Sequence, residues 1–424
     1  MTPSSGPDVG ATRDAAPRDA PPFDAAQPDA GHDAPRRDAG SDAADAADAR
    51  DPLRDPLFRP RNLPGRPPLR SLIGEVGELG GGDELGLRLP PGFQARVLAR
   101  SGQPVSGTSF VWPSDPDGGA TFVTEDGGWI YVANSEPFFD GGASALRFDS
   151  EGALIDAYSL LRGTAMNCSG GATPWHTWLS CEEVTRGQVF ECDPWGEQPA
   201  TIRPALGTFR HEAIAIDPVR GHLYLTEDEL DGALYRFVPD GVTEHGFPEI
   251  RRGRLECAVV SSGGRVAWSE VPDPQFFGSV PTRYQVPEAF AFNGGEGIYH
   301  HEGLVHFSTK GDNRVWTYDI GRSRLTILYD GNAHVEPPIQ GADAIVVSCC
   351  GDVLVAEDLG TMQVAAVLPD GRITALIQVL GQDSSEVTGI AFDPSGTRLY
   401  FSSQRGDLGE GITYEVRGPF HEPA

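Results

Sequence analysis

Gly221-His-Leu-Tyr-Leu-Thr-Glu227-Asp228 leads, through a short loop, to Ala233-Leu-Tyr-Arg-Phe-Val238. The grammar is a glycine turn, an apolar strand, an acidic stop, a loop and a second strand. Five other stretches obey it. Gly128-Trp-Ile-Tyr-Val-Ala-Asn-Ser-Glu136 leads to Ala145–Asp149, and Trp175–Glu183 leads to Gln188–Asp193. Gly303–Lys310 leads to Arg314–Asp319, Gly351–Asp358 to Gln363–Leu368, and Gly396–Gln404 to Ile412–Val416. Most of the stops recur at intervals of about 45–50 residues, the period of a propeller blade. The fold class is therefore all-β, a six-bladed β-propeller. A solenoid fits less well, because the units are strand pairs without the short fixed period of a β-helix. Phe93–Arg100 alternates like a strand and is placed to supply the missing outer strand of the last blade.

Outside this repeat the chain has two other regions. Residues 1–75 are rich in Asp, Ala and Pro, cannot bury a core, and read as a disordered tail or linker. The propeller then spans 76–424, with an insertion at about 240–300 marked by the longer interval between stops. Met1–Gly10 has neither a basic start nor an apolar core, so no secretory signal is visible. No stretch is long and apolar enough for a membrane helix. The net charge of −28 and a sole lysine, Lys310, exclude a nucleic-acid partner, which requires a basic face. Six cysteines follow no zinc-finger spacing.

The acids fall in phase. Before the innermost strands stand Asp117, Cys168, Glu212, Glu302, Asp343 and Glu386; after the following strands stand Glu136, Glu182, Glu227, Lys310, Glu357 and Gln404. In a propeller both sets return to one mouth of the axial channel. Clustered carboxylates repel one another and raise each other's pKa, and bound cations are the natural compensation. Oxygen donors suit Ca²⁺, and a thiolate adds affinity for a transition metal. Cys168 and Cys181 flank one Gly-Gly turn and have three readings: a disulfide, two inert thiols, or a metal-binding Cys168 with Cys181 packed behind it. Lys310 and Arg405 stand at strand ends of the same mouth, where they can neutralise phosphate oxygens. There is no Gly-x-Ser-x-Gly elbow and no P-loop.

Together, Asp126–Glu136, Asn167–Trp175 with Cys181-Glu182-Glu183, His211-Glu212, Leu225–Asp228, Val355–Asp358 and Glu386–Gly389 resemble the PhoX-type alkaline phosphatases. The resemblance implies a six-bladed propeller holding Fe³⁺ and Ca²⁺ that hydrolyses phosphate monoesters, a small-molecule substrate, outside the cytoplasm. By the same resemblance Cys168 is the thiolate shared by the irons. Glu136, Glu182, Glu212, Glu227, Glu302, Asp343 and Glu357 are the carboxylate ligands, and Cys181 is structural. Two positions depart from the family. Ala344 follows Asp343 where the family has Asp-Asn, and Arg405 follows Gln404 where many of its phosphatases have His. The chain is expected to be a monomer in the periplasm or outside the cell, with its tail suited to tethering at the envelope. The alternatives are a calcium-dependent lactonase or esterase, and a non-catalytic envelope propeller with structural metals.

Overall fold

The computed structural model describes residues 55, 57–58, 61, 63–65, 68–406 and 408–424. Residues 1–54, most of the expected tail, lie outside the described residues. Six antiparallel sheets form a closed propeller, with each innermost strand touching those of both neighbours. These innermost strands are Pro116–Val123, Asn167–Ala172, His211–Ile216, Gly295–His301, Ala342–Val347 and Val387–Phe392, in blades 1 to 6.

The apolar runs are explained by where the core lies. It is divided into six clusters, each between two neighbouring blades. Tyr224 and Val266 of blade 3 meet Ile298 and Phe307 of blade 4, for instance, and Ile130 of blade 1 meets Trp178 and Cys192 of blade 2. A sheet covered on both faces has no polar face, so the central strands Trp129–Ser135 and Val353–Glu357 are buried throughout. Glycines let neighbouring blades approach. A Cβ on Gly118 would stand 2.4 Å from Ser169 Oγ on the next blade.

Gln94–Arg100 pairs antiparallel with Ile412–Arg417 and closes blade 6, as the alternation at Phe93–Arg100 predicts. Two further N-terminal segments do the same work. Leu87–Arg88 adds a fifth strand to blade 5, and Leu69–Ser71 pairs with His421–Pro423. The folded body therefore starts before residue 76. Leu57, Phe58 and Ile73 are buried, Phe58 packs on Trp175, and Arg61 lies over Trp195. Polar composition around these few apolar anchors hides them. The insertion at 240–300 is also smaller than its length suggests. Gly253–Val260 is the regular fourth strand of blade 3, and Val266–Glu270 is an additional fifth.

Deleting residues through Arg100 removes three strands and exposes two sheet edges. That truncation should lose its cooperative melt by circular dichroism, whereas deletion through Arg54 should melt like the full chain. Identical melts for both would contradict closure from the N-terminal side.

Candidate metal centre

Every blade carries a one-residue β-bulge in its innermost strand. A bulge breaks the ladder and re-aims a side chain. In five blades the first bulged residue is a potential ligand: Asp117, Cys168, Glu212, Glu296 and Asp343. In blade 6 that place is taken by Gly389, with φ of 63°, where a Cβ would stand 2.6 Å from the Tyr131 hydroxyl. Blade 6 contributes Glu386 instead, three residues upstream.

The second strand of each blade supplies the outer ring, with a register that sequence alone does not reveal. Ser135, Glu182, Glu227, Thr309 and Glu357 lie opposite the first residues of the innermost strands. Side chains alternate along a strand, so the next residue belongs to the other side. Those next residues are Glu136, Glu183, Asp228, Lys310 and Asp358.

Nine side chains assemble into four overlapping triads of donor atoms within 4.8 Å of one another. They are Asp117–Glu136–Cys168, Cys168–Glu183–Glu212, Glu212–Glu296–Asp343 and Asp343–Asp358–Glu386. Each triad shares one member with the next, which gives an arc around the mouth. Of the residues chosen from sequence, Glu136, Cys168, Glu212 and Asp343 stand in this arc.

Four do not. Glu182 accepts hydrogen bonds from the Ala165 and Gln188 amides at 3.0 and 3.1 Å. Glu227 accepts from the Ala233 amide, the Tyr235 hydroxyl and Arg283. Glu357 ties Gln340, Thr361 and Gln363 into one turn. Each is one residue out of register with the mouth. Glu302 sits in the turn after its strand, at φ of 45° and 85% exposed, at the opposite end of the channel. His301-Glu302-Gly303 looks like His211-Glu212-Ala213, but Glu296, flanked by Gly295 and Gly297, occupies the bulge. Two signals could have found the residues of the arc: Glu-Glu or Glu-Asp pairs at strand ends, and an acid followed by a small residue before an apolar run.

Electrostatics sharpen the picture. Burial first, and neighbouring carboxylates second, raise Asp117, Glu183, Glu212 and Glu386 well above the usual carboxylate range. Burial and Asp117 push Glu136 up to about 7. Burial would depress the Lys310 ammonium, but Asp343, Glu296 and Asp358 outweigh it and hold it protonated. Lys310 Nζ lies 2.9, 3.2 and 3.1 Å from Glu296, Asp343 and Asp358 respectively. Arg405 pairs with Glu386 at 2.8 Å, and Arg210, which sequence reasoning missed, pairs with Glu183. Three cationic side chains thus face eight carboxylates and a thiol. Glu212 Oε2 is buried with no partner, while Glu212 Oε1 accepts from Cys168 Sγ at 3.1 Å. An orphaned buried carboxylate oxygen beside a thiol is what a cation would satisfy, so the donor set fits metal ions.

Neither Cys168 nor Cys181 is bridged. Cys181 is fully buried between blades 2 and 3 with Leu179, Ile214 and Leu223. The two therefore divide as a thiol in the acidic arc and a thiol packed between blades.

The family model for the alkaline phosphatase PhoX matches residues 141–189 and 185–310. Over that stretch the chain is similar to PhoX. Among solved structures, the chain superposes on Pseudomonas fluorescens PhoX, solved in complex with vanadate, a transition state analogue. The TM-score is 0.65 at 15% identity, covering 84% of this chain and 98% of the other. It also matches the gluconolactonase XC5397 from Xanthomonas campestris at 13% identity, covering 84% and 99%. The TM-score there is 0.44, too low to bear on chemistry. No curated protein matches the sequence.

Two predictions arise from this geometry. Glu357→Gln places an amide against several donors and should cost about 1–3 kcal/mol of stability, read as a lower melting temperature, with metal content unchanged. Loss of metal would put Glu357 in the centre after all. The second concerns pH. Folded Glu136 is raised from 4.5 to about 7, so it binds protons that the unfolded chain releases. The stability this confers on the metal-free protein is complete below about pH 4.5 and is lost as pH rises through about 7. Metal-free protein should melt lower at pH 8 than at pH 6, and calcium should reverse the loss. A metal-free melting temperature that rises over this interval would contradict it.

Proposed function

We propose that the chain is a metal-dependent phosphatase acting on phosphate monoesters, with iron and calcium held at the axial mouth. The carrying observation is the arc of overlapping triads with the unpartnered Glu212 Oε2 and Cys168 at its acidic centre. The neighbour solved with vanadate, a stand-in for phosphate in transfer, supports the same reading. Cys168 with Asp117, Glu136, Glu183 and Glu212 would hold iron, and the all-oxygen triads would hold calcium. Such ions, when bound, supply Lewis-acid polarisation of the phosphoryl group.

The chain's own residues do the rest. Arg405 is 45% exposed and oriented by Glu386, so its planar fork is free to take two phosphate oxygens. Arg210, 34% exposed on Glu183, is a second such cation across the mouth. Lys310 is committed to three carboxylates and serves as an internal countercharge rather than a phosphate contact. Gln404 donates to Glu136 at 2.7 Å and also to Asp117, fixing both carboxylates. The place of action is the periplasm or the cell exterior. Among the described residues no helix is long and apolar enough to cross a membrane.

The test is hydrolysis of p-nitrophenyl phosphate by protein reconstituted with iron and calcium. Activity abolished by chelator and inhibited by vanadate is expected. Lactone hydrolysis with calcium alone, and none of the phosphate ester, would replace this reading by the lactonase one.

A further inference from the structure

The channel behind the mouth encloses about 390 Å³, and its far end is lined by residues unlike those of the acidic rim. Cys349 and Cys350 follow the innermost strand of blade 5, in the turn that leads into Val353–Glu357. His421 comes from the C-terminal strand, opposite Ser71 in the ribbon that Leu69–Ser71 and His421–Pro423 form. Sequence separation conceals this grouping, since Cys350 lies in a turn of blade 5 and His421 in the ribbon that follows blade 6. A ring nitrogen of His421 and both thiol sulfurs lie within 4.8 Å of one another.

We propose that Cys349, Cys350 and His421 form a second metal site, for a thiophilic ion such as Zn²⁺ or Cu⁺, separate from the acidic centre. Three observations carry it. The thiols are 3.5 Å apart and unbridged. Ligand bonds of about 2.3 Å place tetrahedral sulfur ligands roughly 3.8 Å apart, so little movement is needed. The second observation is His421 itself. It is 96% buried (4% exposed), and its Nδ1 lies 2.7 Å from the Gly396 carbonyl oxygen. Donation there fixes the tautomer that leaves a lone pair on Nε2, the arrangement that orients metal-binding histidines. Third, Nε2 is buried and has no hydrogen-bond partner. A buried ring nitrogen left unsatisfied costs free energy that a metal bond would recover.

The ligand chemistry selects the ion. Two soft thiolates and a borderline imidazole, with no carboxylate among them, favour Zn²⁺ or Cu⁺ over the calcium suited to the rim. Cys349 is exposed, so a fourth position opens to solvent or to a further ligand. His301 borders the same turn: its Nε2 is 3.8 Å from where a Cβ on Gly351 would stand.

Co²⁺ tests the site in the full chain, since thiolate ligation gives it a charge-transfer absorption in the near ultraviolet. The reduced, metal-stripped protein is titrated with Co²⁺ and then with Zn²⁺ as competitor. Cys168→Ser should retain a thiolate–Co²⁺ band that Zn²⁺ bleaches. The Cys349→Ser/Cys350→Ser variant should bind one Co²⁺ fewer per chain than the parent, with an unchanged melt and unchanged phosphatase activity. His421→Gln should weaken that one ion by about 10-fold or more. Replacing Co²⁺ by Cu⁺ under anaerobic conditions distinguishes the two candidate ions by relative affinity. The proposal fails if Cys168→Ser alone abolishes all thiolate–Co²⁺ absorption. It also fails if the double serine variant binds as much Co²⁺ as the parent, or if reduced Cys349 and Cys350 take up no metal.

Discussion

Cys168→Ser should lose iron and lower phosphatase activity by more than about 100-fold while the propeller stays folded, since even loss of a residue that supports a ligand costs about 10–100-fold. Cys168 is the shared member of two of the four donor triads, and its sulfur lies 3.1 Å from Glu212. A serine hydroxyl keeps the size but is a far poorer donor to iron than a thiolate. The fold should tolerate the change, because Cys168 is only half-buried and the bulge that carries it is fixed by backbone pairing. Cys181→Ser is the matched control. Its thiol is fully buried in an apolar cluster, so it should lose about 1–2 kcal/mol of stability and keep its iron. Equal loss of iron in the two variants, measured by elemental analysis, would defeat this division.

The second large effect is expected at Lys310. Its ammonium is the one side-chain cation within 4 Å of Glu296, Asp343 and Asp358 among the described residues. Lys310→Met leaves these acids facing one another. Removing one partner of a buried ionic group typically costs about 3–5 kcal/mol, and the partial exposure of Lys310 places the expected loss near the lower end. Added calcium should recover much of that loss, because three carboxylates around the vacated point make an oxygen-only site. The readout is the melting temperature with and without calcium, together with calcium stoichiometry. A variant as stable as the parent in the absence of calcium would show that Lys310 is a surface cation.

These two residues also show what sequence could carry. Lys310 and Cys168 were legible because each interrupts a repeated acidic position, and a repeat exposes its exceptions. The blades were legible for the same reason: glycine turn, apolar run and acidic stop recur in phase, and Phe93–Arg100 alternates where a closing strand is needed. Register was not. Glu182-Glu183, Glu227-Asp228 and Glu357-Asp358 each offer two adjacent acids, and a period of two sends one to the mouth and the other to a turn. Nothing within a pair says which, because each inward acid is fixed by pairing with a strand elsewhere. The bulges are equally silent. A bulged residue keeps an ordinary side chain, so Glu296 falls unnoticed inside the expected insertion at 240–300, and Glu302 reads as the entry acid in its place. The N-terminal anchors Leu57 and Phe58 were hidden by the polar composition around them.

The rim acids and Cys168 are expected to hold a mixed metal centre. Elemental mass spectrometry of the full chain, purified without chelator, tests it most directly. Iron and calcium are expected together, with iron lost selectively from Cys168→Ser and calcium from Glu296→Gln. Protein that is folded and carries neither iron nor calcium would contradict it.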